Sequence, residues 1–344
     1  MSQLFNVAIV GATGLVGRTM LTLLEQRAFP IKQLYLLASN RSVGEPLRFG
    51  KKNLSVEDVA DFDFKKVELA LFTAGAAVSA QYIPAATKEG CMCIDNTSHF
   101  RYDSDVPLVI PEVNRDALTN CYTRKIIANP NCSTIQLMVV LKPIYDKVGI
   151  SRINVVTYQS VSGAGRSAVS ELFEQSRCLL NGLNIKPPKA MAAQVAFNVI
   201  PHIDEFQENG YTREEMKIVW ETKKLLADES IRVNATAVRV PVFYSHAEAV
   251  QIETKHKIGL TQLRSLLQKA PGVTILDKPR KGGYPTPILC AIEKYKDTVL
   301  VGRIREDLSH PLGFNLWIVS DNIRKGAALN AVQIAEELVN QAYL

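Results

Sequence analysis

The 344-residue sequence predicts an α/β protein of two domains. One is a doubly wound parallel sheet, and the other is an α+β domain with a mixed, largely antiparallel sheet. Three features predict this. The chain opens on a strand, a glycine turn, a helix and a second strand within roughly thirty residues, the size of a βαβ unit. From about residue 133 the texture changes to alternating, β-branched segments at irregular spacing. The C-terminal stretch then returns to helical periodicity.

Residues 6–10 form a short apolar run ending at Gly11, which reads as a buried strand. Beyond Gly14, Val16, Met20, Leu23 and Leu24 fall at helical spacing, and Phe29-Pro30 closes that helix. Residues 34–37, 67–72 and 92–95 supply further strands, and the helical segments between them imply right-handed crossovers. This is a Rossmann-like arrangement. A helix is expected over 134–145, then strands over 154–158, 237–242, 250–254, 298–304 and 314–319. Lys186-Pro187-Pro188-Lys189 reads as a surface loop. Ala327, Ala328, Leu329, Val332, Ala335, Leu338 and Val339 define a terminal amphipathic helix that must bury its apolar face, and it is placed against the first domain. The expected domains are 1–131 with the helix 322–344, and 132–321.

Composition narrows the function. With 47% hydrophobic and 22% charged residues, the chain can bury about three quarters of its unfolded surface without disulfides or metal. Forty Lys and Arg against 34 Asp and Glu give +6, scattered rather than blocked. That balance suggests nucleic acid only weakly and suits a small anionic ligand equally well, so no nucleic-acid partner is expected. No apolar run approaches the ~20 residues that span a bilayer, and no basic region followed by an apolar stretch opens the chain. A cytoplasmic protein with no membrane partner is expected. Cys91, Cys93, Cys121, Cys132, Cys178 and Cys290 contain no C-x-x-C pair, so six reduced thiols and no metal site are expected.

Gly11-Ala12-Thr13-Gly14-Leu15-Val16-Gly17 follows a strand and opens a helix, so backbone and helix N-terminus can approach a pyrophosphate. The pattern is Gly-x-x-Gly-x-x-Gly, and a tight turn without ligand is its bland alternative. At the end of the second strand, NAD-selective sites usually carry an acid for the ribose 2′-OH. Here the chain reads Ala38-Ser39-Asn40-Arg41-Ser42, with a guanidinium and no carboxylate. A lone loop arginine is more often merely solvated, but at this position Arg41 can hold a 2′-phosphate, with Ser39 or Ser42 assisting. NADP is the expected cofactor.

Asn129-Pro130-Asn131-Cys132-Ser133-Thr134 lies where the first domain ends and a helix begins. A cysteine at a helix N-terminus gains thiolate character, and nearby amides can receive an oxyanion. The other five cysteines are read as buried structural residues. A cysteine nucleophile beside a dinucleotide site suggests aldehyde oxidation through a thioester, which also needs a base. Among His99, His202, His246, His256 and His310, spacing alone selects none, although His246 follows a strand carrying Arg239.

These residues resemble the bacterial-type aspartate-semialdehyde dehydrogenases, essentially end to end. The resemblance rests on segments 11–17, 38–42 and 129–134, Gln159-Ser160-Val161-Ser162-Gly163-Ala164-Gly165, Ala196 to Pro201, Arg213-Glu214-Glu215-Met216-Lys217, Arg239 to His246, and Asp321-Asn322-Ile323-Arg324-Lys325-Gly326. Ala237 departs from it, standing where the family usually has a cysteine. The resemblance implies Cys132 as acyl-thioester nucleophile, His246 as general acid/base and Gln159 as the group orienting substrate near the sulfur. It implies Arg239 on the substrate α-carboxylate, Glu214 on its amino group, and Arg101 and Lys217 on the phosphate, with Asn131 close by. Thr13, Gly14, Leu15, Val16, Arg41, Ser42, Ser162, Gly163 and Asn322 are implied to line NADP. The implied substrates are aspartyl phosphate, aspartate semialdehyde and phosphate, and the implied assembly is a dimer or tetramer joined through the second domain, with a homodimer expected. N-acetyl-γ-glutamyl-phosphate reductase is the nearest rival, but its acetylated amine leaves Glu214 without a cation to pair. Glyceraldehyde-3-phosphate dehydrogenase shares the thioester logic without the NADP-type loop. A catalytically silent nucleotide-binding paralogue would not need both Cys132 and His246.

Overall fold

The structure, a computed structural model, describes residues 3–344 and divides into two compact units. One runs to Pro130 and includes Ala327–Leu344, and the other is Asn131–Gly326. Asn131 and residues 322–326 therefore fall in the second unit, whereas the sequence reading grouped them with the first. Their hydrogen bonds explain the difference. Asn131 bonds Glu214 and Glu221, and Asn322 bonds Ser160, Ser162 and Ser245, all second-unit residues.

In the first unit, β1 (Phe5–Val10), α1 (Leu15–Gln26) and β2 (Ile31–Ala38) form the opening βαβ unit. A short hairpin follows, β3 (Pro46–Phe49) and β4 (Lys52–Asp58), which the sequence reading did not single out. Then come β5 (Leu69–Phe72), α2 (Ala76–Lys88), β6 (Met92–Asp95), the short α3 (Pro111–Asn114) and β7 (Ile126–Ala128). The sheet order is β3-β4-β2-β1-β5-β6-β7, parallel except for the β3–β4 edge. Both faces of the central strands are covered, so β5 and β6 are buried at every residue; β5 reads as an unbroken apolar run, and β6 as one up to its last residue, Asp95. Met20, Leu23 and Leu24 of α1 share one core with Ala331, Val332, Ile334, Ala335 and Leu338 near the C-terminus.

In the second unit, α4 (Cys132–Val148) leads into β8 (Ile150–Gln159), α5 (Arg166–Leu180), α6 (Arg213–Leu226), β9 (Arg232–Arg239), β10 (His246–Thr254), α7 (Leu260–Lys269), β11 (Val273–Ile275), β12 (Val299–Glu306) and β13 (Gly313–Ser320). The terminal helix α8 (Leu329–Asn340) returns to the first unit. The second sheet has the order β11-β12-β13-β10-β8-β9 and is mixed: β8–β9 and β11–β12 are parallel, the other three pairs antiparallel. The strand expected over 237–242 instead ends at Arg239, two residues before Pro241, which has no N–H for a ladder. α4 carries buried side chains along most of its length, which a helix packed against a sheet requires. Among the described residues no helix is long and apolar enough to cross a membrane.

Candidate active site

The first unit presents the glycine turn. Gly11 has φ +92°, and a Cβ there would lie 2.9 Å from the Ala74 nitrogen. A Cβ on Gly17 would meet the Gly11 carbonyl oxygen at 2.2 Å, so the turn and the first turn of α1 can close up only with glycine at both positions. The exposed Gly14 is the N-cap of α1 and offers no side-chain cap, while Leu15 and Val16 begin the helix. Arg41 and Ser42 lie in a 3₁₀ turn directly after β2, with Arg41 exposed. The Thr13 hydroxyl reaches Ser42 Oγ at 3.5 Å, which brings these two predicted cofactor residues together. Arg101, also in the first unit, is buried and donates to the Asn96 carbonyl.

The second unit gathers the remaining predicted residues around the N-terminus of α4. Asn131 is the N-cap, its Oδ1 accepting from the Ser133 and Thr134 amides at 2.9 and 3.4 Å. Cys132 is therefore the first helical residue, partly exposed at the positive end of the helix. Gly326 packs on it, and a Cβ there would lie 2.9 Å from Cys132 Cβ.

Sheet register brings a further set of predicted residues together. Gln159 pairs with Arg239, Ala247 with Tyr158, and His246 with Ser320. Residues in one row across a sheet share a face, so Arg239, Gln159, His246 and Ser320 line up at one end of four adjacent strands. Gln159 Nε2 donates to Ser133 Oγ and Glu214 Oε1, both at 3.1 Å. Arg239 Nη1 donates to the Ser160 carbonyl at 2.6 Å. Burial draws the guanidinium below its usual range, opposed by Glu214 and Cys132.

His246 is fully buried. Its Nδ1 accepts the Ser160 backbone N–H at 3.0 Å, which places the neutral ring's proton on Nε2. Nε2 is buried without a hydrogen-bonding partner among the described residues. Burial and then the Arg239 charge, against the pull of Glu214, drive the imidazole down to about 3. Gly163 lies against this pair, since a Cβ there would be 3.3 Å from Arg239 Nη1, His246 Cε1 and His246 Nε2. Ser245, just before the histidine, has φ +73°, a left-handed conformation held by its N–H bond to Asn322 Oδ1 at 2.9 Å. Ser160 and Ser162 hydroxyls donate to the same oxygen. Asn322 is thus buried and holds the loops around His246 by its carbonyl.

Glu214 owes its place to the start of α6. Thr212 and Glu215 form a reciprocal capping box, and the other Glu215 oxygen accepts the Ala237 N–H of β9 at 2.9 Å. Ala237 is fully buried there. Burial works to raise the Glu214 pKa, but the Lys217 charge and bonds from Asn131, Gln159 and Lys217 hold it at about 2. Lys217 lies 3.0 Å from Glu214 and 2.6 Å from Asp204. Burial pulls its pKa down, and these carboxylates outweigh that and raise it.

One row deeper, Glu248 pairs with Thr157. Burial pushes its carboxyl well above the usual range, with the nearby Gln136 amide opposing, yet among the described residues neither side chain closes a hydrogen bond of ordinary geometry. Glu221, Gly326, Ser160 and Glu248 were not singled out as site residues from sequence. Gly326 and Ser160 lie inside the segments that carry the resemblance, whereas Glu221 and Glu248 leave no local signal. Of the five cysteines read as buried, Cys178 is instead partly exposed, because α5 presents it toward a surface cleft with Lys186 and Pro187.

A semialdehyde dehydrogenase NAD binding domain matches residues 6–121, and a semialdehyde dehydrogenase dimerisation domain matches residues 141–325. The chain is 59% identical to an aspartate-semialdehyde dehydrogenase of Legionella pneumophila, covering 100% of this chain and 98% of that protein. It is 55% identical to aspartate-semialdehyde dehydrogenase 2 of Vibrio cholerae over 100% of both chains. The crystal structure of Vibrio cholerae aspartate semialdehyde dehydrogenase II complexed with ASA superposes with a TM-score of 0.95, covering 98% of this chain and 99% of that one. The chain belongs to the semialdehyde dehydrogenase family, among the aspartate-semialdehyde dehydrogenases of bacterial type.

Proposed function

We propose that this chain catalyses the reversible, NADPH-dependent reduction of L-aspartyl 4-phosphate to L-aspartate 4-semialdehyde and phosphate, through an acyl-thioester on Cys132. The observation that carries the reading is the placement of Cys132 at a capped helix N-terminus within electrostatic reach of Arg239, with Gln159 bonded to the adjoining Ser133 and His246 in the same sheet row as both. The names of the relatives support the substrate, and the reaction is a step toward lysine, diaminopimelate, methionine and threonine. The second unit, matched by a dimerisation domain, is read as the subunit contact of a cytoplasmic homodimer.

The glycine turn fits a dinucleotide, because Gly11 and Gly17 leave the backbone bare and Gly14 leaves the α1 N–H groups without a side-chain cap. Arg41 and Ser42 at the end of β2, with no acid between residues 38 and 42, fit a ribose 2′-phosphate. Thr13, Leu15 and Val16 complete the first unit's share, and Ser162 and Gly163 are read as the second unit's. When bound, NADPH supplies the hydride that reduces the thioester.

The chain's own residues do the rest. Arg239 grips the α-carboxylate, the anionic Glu214 receives the ammonium, and Lys217 with Arg101 receives the phosphate, with Asn131 beside the nucleophile. The Cys132 thiolate attacks the acyl carbon, the S–C bond forms, and the C–O bond to phosphate breaks with its electron pair. Gln159 orients the carbonyl. His246 holds its proton at Nε2 and meets the oxygen as charge develops there. Collapse of the hemithioacetal re-forms the carbonyl and returns the thiolate. Phosphate-dependent oxidation of aspartate semialdehyde by the purified protein, with NADP and NAD compared, tests the reading. Turnover that prefers NADP supports it, and absence of turnover with either cofactor refutes it.

A further inference from the structure

Asn131 is held at three points. Its Oδ1 caps α4, its Nδ2 donates to Glu214 Oε1 at 2.9 Å, and its backbone N–H donates to Glu221 Oε2 at 2.6 Å. Both carboxylates stand on α6, seven residues or two turns apart, and so project from one face of that helix. Glu221 is fully buried. A carboxyl group is among the costliest side chains to remove from water, and this one reaches a backbone amide rather than solvent. The amide it reaches belongs to the residue directly before Cys132.

We infer that Glu221 is a positioning residue for the nucleophile: with Glu214 it forms a two-point clamp on Asn131 that fixes the Cys132 sulfur against Arg239, Gln159 and His246. The inference deepens the thioester reading and rests on it. The N-cap residue has non-helical backbone dihedrals, and neither side-chain capping nor α4 itself fixes the direction from which the chain enters. The bond to Glu221 does. With it lost, the cap can rotate while α4 stays folded, and the sulfur of the first helical residue moves with it. A displacement of about 1 Å can reduce turnover about a hundredfold.

The clamp needs an acceptor oxygen at this position and does not need a charge, so two substitutions of similar size separate its role. Glu221→Gln keeps an acceptor, and Glu221→Met fills the space without one. In the purified enzyme, Glu221→Met is expected to lower kcat about ten- to a hundredfold, with KM for NADP and phosphate changed less than about twofold. Iodoacetamide alkylation of Cys132, followed by mass spectrometry, is expected to slow in parallel. Glu221→Gln is expected to stay within about threefold of the parent in both measurements. Unchanged kcat in a folded Glu221→Met enzyme overturns the inference. So does a tenfold loss in Glu221→Gln, and that arm decides the matter even where Glu221→Met does not fold. Cys132→Ser serves as the control for the reading beneath: if it retains full activity the thioester route fails, whereas an inactive Cys132→Ser beside a fully active Glu221→Met removes the clamp alone.

Discussion

His246 makes acid stability a direct test of the site. Its imidazole titrates at about 3 in the folded protein, against 6.5 when unperturbed, because it is buried beside Arg239. The folded pKa is depressed, so between these values the unfolded chain holds a proton that the native one lacks. Stability therefore falls as pH falls through 6.5 toward 3, by about 1.4 kcal/mol per unit within that window. At pH 5 the loss amounts to about 2 kcal/mol relative to pH 7. The contribution of Glu214, present above about 4.5 and lost as pH falls through its folded value of about 2, overlaps the lower part of this window but lies below the comparison of pH 7 with pH 5. Urea unfolding of the parent and of His246→Gln, at pH 7 and pH 5 and at one protein concentration, isolates the histidine. The parent is expected to lose about 2 kcal/mol more than the variant between the two pH values. Parallel losses would refute the buried, neutral assignment, whatever their absolute size.

Three further outcomes follow from the geometry. Arg41→Ala is expected to raise KM for NADPH about ten- to a hundredfold while leaving KM for NADH nearly unchanged, since a charge-assisted bond contributes about 1.5–3 kcal/mol; steady-state kinetics with both cofactors check it. Arg239→Lys keeps the charge but cannot make a two-point hold on a carboxylate, so kcat/KM for aspartate semialdehyde is expected to fall at least about tenfold. Gly163→Ala places a methyl carbon 3.3 Å from Arg239 Nη1 and His246 Nε2. It is expected to lower kcat about tenfold with little change in melting temperature, measured by activity and calorimetry side by side.

The parts legible in the sequence were those that nearby residues encode. Gly11, Gly14 and Gly17 announce a close strand-to-helix turn, and the segment 129–134 announces a cysteine where a helix begins, although the cap on Asn131 and the helix start at Cys132 came only with the structure. Arg41 could be read because the end of the second strand follows from the same βαβ pattern. The row of Arg239, Gln159, His246 and Ser320 could not, because it depends on register among four strands whose order departs from chain order. Histidine spacing accordingly left five candidates, and only the resemblance chose among them. Glu221 was invisible for the same reason: on a helix rich in charge, nothing local marks the carboxylate that reaches a backbone amide 90 residues earlier. The β3–β4 hairpin went unread because the edge strand β3 has only 4 residues and β4 is polar at most of its 7 positions. Asn322 was read toward NADP, and the structure shows its oxygen engaged by three internal donors.

The central claim is that one sulfur carries the acyl group. Enzyme mixed with the acyl phosphate in the absence of NADPH, quenched and digested, can be mapped by mass spectrometry. An adduct on Cys132 is predicted, absent from Cys91, Cys93, Cys121, Cys178 and Cys290, and lost in Cys132→Ala together with all reduction. An adduct on any of the other five cysteines, or full activity in Cys132→Ala, would contradict the account.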